Sequence, residues 1–63
     1  MNLSIEYIEV MVADDSKFLR KYISDVLSKE KEINIIGTAQ DGLKALELLD
    51  KLNPDVLILD LLM

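Results

Sequence analysis

The sequence predicts an α/β fold in which three parallel strands alternate with two helices in the order β-α-β-α-β. Two observations carry this reading. Three short runs dense in apolar residues are separated by two segments whose apolar residues recur every three to four positions. Three of the four junctions between them carry cap or turn chemistry: Asp14-Asp15-Ser16, Gln40-Asp41-Gly42 and Asn53-Pro54. Alternation of this kind builds a parallel sheet joined by right-handed crossovers.

The run Ile8 to Ala13 is short and closed by two acids, as suits a strand buried on both faces. Ser16 is placed to cap the helix that follows. In that helix Leu19, Tyr22, Ile23, Val26 and Leu27 follow the i, i+3, i+4, i+7, i+8 spacing of one face, while Lys17, Lys21, Asp25 and Ser28 lie opposite, toward solvent. After the charged connection Lys29 to Glu32, the β-branched run Ile33 to Ala39 predicts a second strand. Asp41 is a candidate N-cap for a second helix from about Gly42 to Leu52, with Ala45, Leu46, Leu49 and Leu52 expected on its buried side. Pro54 ends that helix, because its ring clashes with a continuing turn. Asp55 to Asp60 encloses four consecutive apolar residues without alternation, the pattern of a central parallel strand.

Bulk properties bound the function. A domain of 63 residues buries only about 60% of the surface its unfolded chain exposes, so stability is expected to be marginal. The sequence contains no Cys and no His, which leaves oxygen as the only ligand chemistry for a metal. Twelve acids against seven bases give a formal charge of -5, which argues against a grip on nucleic acid or anionic lipid. Charges interrupt every apolar run well short of the roughly 18 residues a membrane span needs. The first residues form no secretory signal, so a cytoplasmic location is the expectation.

The acids at the strand ends carry the chemistry. Two sheet orders compete: 1-2-3 with both helices on one face, or 2-1-3 in a doubly wound sheet. The acids favour the second, which brings Asp14-Asp15 and Asp60 together at the carboxyl edge, where open α/β sheets bind ligands. Taken alone, an acid after a strand is most simply a helix cap or a solvated group, and Asp15 could merely favour a helix dipole. Two acidic strand ends side by side, with no Lys or Arg expected to reach them, point instead to a hard divalent cation. A carboxylate beside such a cation suits phosphoryl transfer, with Asp60 the candidate nucleophile because it stands alone at the tip of a buried strand.

The segments Val10 to Ser16, Ile36 to Gly42, Ala45-Leu46 and Pro54 to Met63 resemble, in family order, the receiver domains of bacterial two-component response regulators, those of chemotaxis regulators among them. The resemblance covers the chain from about Glu9 to its end. It implies half of a flavodoxin-like doubly wound fold with strand order 2-1-3, over residues 1–63 with residues 1–7 as an N-terminal extension. It further implies that Asp60 accepts a phosphoryl group from a sensor histidine kinase. Mg2+ would be bound by Asp15 directly, by Asp14 through water, by Asp60, and by the backbone carbonyl of Leu62. Such a receiver is a signalling module and not an enzyme.

In the family's pattern the later hydroxyl residue and lysine that contact the phosphoryl group fall beyond Met63, so impaired phosphorylation is expected of these 63 residues. The competing expectation is a structural unit that self-associates through its third strand, as exposed apolar edge strands do. Two other readings fit poorly. A haloacid-dehalogenase-type phosphatase would carry an acid at the position of Leu62, and a dinucleotide site would need glycines where Ala13 to Ser16 stand.

Overall fold

The computed structural model describes residues 6–60. Its elements are β1 (Ile8–Ala13), α1 (Lys17–Leu27), β2 (Ile33–Ala39), α2 (Gly42–Leu52) and β3 (Val56–Leu59). The strands form one parallel sheet in the order β2-β1-β3, the doubly wound arrangement that the acids favoured. β1 is therefore central, and Val10, Met11, Val12 and Ala13 are all buried. A strand enclosed on both faces has no position for a polar side chain, which is why this run lacks alternation.

Both helices begin where their caps dictate. The Ser16 Oγ accepts from the Leu19 amide at 3.2 Å, and the Asp41 Oδ1 accepts from the Lys44 amide at 2.8 Å. Each bond satisfies one of the donors that a helix start leaves without an intrahelical partner. At its other end α2 stops on Asn53 in the left-handed conformation (φ 50°, ψ 58°), whose amide returns to the Leu49 carbonyl. Asparagine tolerates that conformation and Pro54 then prevents resumption, so the stop is encoded twice.

The core lies between α2 and the sheet. Met11, Ala13, Ala39 and Ala45 are its buried members, with Leu48, Leu49, Leu52 and Leu57 packed against them. The α2 face is thus Ala45, Leu48, Leu49 and Leu52, and the expected Leu46 is not on it: Leu46 is 66% exposed. At 3.6 residues per turn, positions 45, 48, 49 and 52 fall within one narrow stripe, and residue 46 is swung well to its side. By strand alternation Val10 and Val12 turn to the opposite face of the sheet, where α1 lies against β1 and β2.

On α1 the expected face is also displaced. Ile23 and Leu27 are half-buried, but Leu19, Tyr22 and Val26 are exposed, and no residue of the helix is fully buried. The half-buried set is Arg20, Ile23, Ser24 and Leu27, itself at i, i+3, i+4, i+7 spacing. The apolar stripe is wider than the contact it can make, and the helix turns its polar flank, Arg20 and Ser24, toward the sheet. Lys17, Lys21, Asp25 and Ser28 are exposed as expected.

One glycine is set by packing. The register between β1 and β2 slips by one residue, pairing Val10 with Ile35 and Met11 with Gly37. A Cβ at Gly37 would stand 2.7 Å from the Leu52 Cδ1 and 3.5 Å from the Met11 Cγ, so the bare backbone here lets α2 close on the sheet.

Candidate metal centre

The strand ladders continue past the strands and fix the acids. Asp14 donates its amide to the Ala39 carbonyl at 3.0 Å, and Asp60 donates its amide to the Ala13 carbonyl at 3.1 Å. The backbone of Asp14 is thereby tied to β2 and that of Asp60 to β1, so both acids hang from rigid elements. At the far end of β3 a reciprocal pair holds the strand to β1. The Asp55 amide donates to the Glu9 carbonyl and the Glu9 amide to an Asp55 carboxylate oxygen, both at 2.8 Å. Pinned at both ends, β3 has little freedom to slip in register.

Asp14, Asp15 and Asp60 each bring a carboxylate oxygen within 4.8 Å of the other two. Their environments differ. Asp14 is 4% exposed, and its Oδ1 accepts the Ser16 amide at 2.8 Å. Asp15 is exposed and Asp60 half-buried. Carboxylates gathered this closely are the ligand arrangement that a hard cation takes. The donor set is all oxygen, as magnesium prefers. The residues present therefore fit a hard divalent ion.

One expectation about this edge needs correction. No base was expected to reach it, yet the Arg20 Nη1 donates to the backbone carbonyl of Asp14 at 2.7 Å. Arg20 lies one turn into α1, on the half-buried flank, and its long side chain spans back to the end of β1. Counting arginine only as a charge hides its reach. No residue pattern marks this contact, because its acceptor is a backbone carbonyl. Leu62, expected to offer a backbone carbonyl, lies outside the described residues.

Comparison with known proteins identifies the family. Residues 10–63 match the response regulator receiver domain. The chain is 55% identical over 53 residues to a protein-glutamate methylesterase/protein-glutamine glutaminase of Bacillus subtilis (strain 168), covering 84% of this chain and 15% of that protein. A protein of the same description from Pyrococcus abyssi (strain GE5 / Orsay) is 42% identical over 60 residues, covering 95% of this chain and 16% of that protein. Among solved structures, the response regulator domain of Thermotoga maritima CheB superposes with a TM-score of 0.81 at 38% identity, covering 82% of this chain and 39% of that one. The signal receiver domain of the putative response regulator NarL from Mycobacterium tuberculosis gives 0.84 at 40% identity, covering 87% and 44%. The chain belongs to the response regulator receiver domain family, whose members are signalling modules. It spans about 15% of the length of the curated relatives and less than half of the solved receivers. Among the described residues no helix is long and apolar enough to cross a membrane.

Proposed function

We propose that the chain is the phosphoacceptor part of a two-component signalling pathway, phosphorylated on Asp60 with Mg2+ held by Asp14, Asp15 and Asp60. The observation that carries this reading is the convergence of three carboxylates on one sheet edge in a chain of this family. In the step itself a carboxylate oxygen of Asp60 attacks phosphorus of a phosphohistidine on a sensor kinase. The phosphorus–nitrogen bond breaks, the imidazole nitrogen keeps the electron pair and takes up a proton, and Asp60 becomes an acyl phosphate. When bound, magnesium offsets charge on the transferring oxygens.

The chain's own residues divide the remaining work. The exposure of Asp15 supports direct ligation, whereas the Ser16 amide on the Asp14 Oδ1 supports a water-mediated role for Asp14. The backbone carbonyl of Leu62 is the proposed fourth contribution. The ladder bond from the Asp60 amide to Ala13 keeps the nucleophile at the strand tip and limits its reorientation. Incubation with Mg2+ and a small acyl-phosphate donor, followed by intact-mass measurement, tests the reading. Slow addition of one phosphoryl group that is lost in Asp60→Asn is expected, and equal labelling of that variant contradicts it.

A second reading concerns the 63 residues by themselves. β3 pairs with β1 alone among the described strands, and Val56 and Leu59 are exposed. These features support self-association through β3. Light scattering at micromolar concentration is expected to report a dimer, and a monomer overturns this reading.

A further inference from the structure

We infer that Arg20 is a positioning residue for the acid pair, holding Asp14 in the orientation a divalent ion requires. The inference rests on the proposed metal site and adds the group that sets its geometry. β2 ends at Ala39, after its carbonyl has taken the Asp14 amide, so the next rung of that ladder, a donor for the Asp14 carbonyl, is not supplied by β2. The Arg20 guanidinium supplies it at 2.7 Å. Asp14 is then fixed at three points: its amide by Ala39, its carbonyl by Arg20 and its Oδ1 by the Ser16 amide. With all three in place, the peptide leading to Asp15 has a defined direction.

The same bond ties α1 to β1. Arg20 belongs to the first turn of α1, its own amide donating to the Ser16 carbonyl at 3.0 Å. The loop Asp14-Asp15-Ser16 is therefore closed from both sides, by the helix start and by the arginine that reaches back over it. A carbonyl at a half-buried strand end with its donor removed must find water or turn, and turning it rotates both adjacent acids.

Charge and position predict opposite signs, which makes the inference testable. As a bare positive charge beside the acids, Arg20 repels a cation, and its removal tightens Mg2+ binding. As a positioning group its removal weakens binding. Lys17 provides the charge control. It lines the same cavity of about 210 Å³ as Arg20, Lys21, Ser24 and Thr38, and it carries the same charge without sharing the bond from Arg20 to the Asp14 carbonyl.

The experiment is Mg2+ titration calorimetry on the wild-type chain, Arg20→Met, Arg20→Lys and Lys17→Met, with amide hydrogen exchange of each in the absence of metal. The expected result for Arg20→Met is a Kd raised about tenfold, the scale of one charge-assisted hydrogen bond. Arg20→Lys should recover part of the loss, and Lys17→Met should bind as well as wild type or more tightly. Exchange at the Ser16 amide should quicken by about tenfold in Arg20→Met while Met11 and Val12 stay protected. Unchanged or tighter Mg2+ binding by Arg20→Met overturns the inference. If the wild-type chain binds no Mg2+, the metal site itself fails, and the Ser16 amide decides alone: faster exchange in Arg20→Met upholds the positioning role, and unchanged exchange removes it.

Discussion

The two helices have the same length and are both amphipathic, yet they use their apolar faces differently. On α2 a four-residue stripe of Ala45, Leu48, Leu49 and Leu52 closes over Met11, Ala13 and Ala39, and Gly37 lets Leu52 approach the backbone of β2. On α1 the two aromatics, Phe18 and Tyr22, face outward, Phe18 with 77% of its surface exposed, while Arg20 and Ser24 sit nearer the sheet beside Ile23 and Leu27. α2 is positioned by packing density. α1 makes a polar contact at its first turn, the bond from Arg20 to the Asp14 carbonyl, and leaves more of its apolar surface exposed. The helix beside the acids thus touches the site, and the helix away from them carries the core.

This contrast can be broken or sharpened by substitution. Leu48→Ala should lower stability most, by about 2 kcal/mol in urea unfolding, the low end for a core leucine because the site is half-buried. In a domain this small that is a large share of the total. Gly37→Val should follow at about 1–2 kcal/mol, since the added atoms meet Leu52, whose flexible end yields in part. Ser24→Ala should stabilise by about 1 kcal/mol. Its buried Oγ has no hydrogen-bond partner among the described residues, and alanine is the better helix former. Phe18→Ser should change stability by no more than about 0.5 kcal/mol. A loss at Phe18 equal to that at Leu48 would show that both helices are held by burial, and the contrast between them would fall.

The bounds of the elements were legible because each is marked locally. Ser16 and Asp41 cap, Asn53-Pro54 stops, and the unbroken apolar runs can sit only in a covered parallel sheet. The strand order was legible for a different reason. The acids come together where β1 and β3 are neighbours, which the order 2-1-3 provides and 1-2-3 does not, and the resemblance to receiver domains implies the same order, which the structure has. The faces of the helices were harder to read. Hydropathy places Leu46 with Leu49 and groups Leu19, Tyr22 and Val26, but a stripe broader than the contact leaves open which half is buried. The flank of α1 that faces the sheet includes Arg20, which reaches a backbone carbonyl, and a backbone acceptor leaves no mark in the sequence. The need for glycine at position 37 is not visible in the sequence either. The closeness of Gly37 to Leu52 arises only when α2 and the slipped register of β2 are brought together.

The central claim is that Asp14, Asp15 and Asp60 form one cation site at the carboxyl edge. Titration with Mn2+ as a paramagnetic stand-in for Mg2+, read as broadening of assigned backbone amide signals, tests it residue by residue. The predicted result is early, selective broadening at Asp14, Asp15, Ser16 and Asp60 that excess Mg2+ reverses and that Asp15→Asn weakens. Broadening spread evenly over the exposed acids Asp25, Asp50 and Asp55, unaffected by Asp15→Asn, would contradict it.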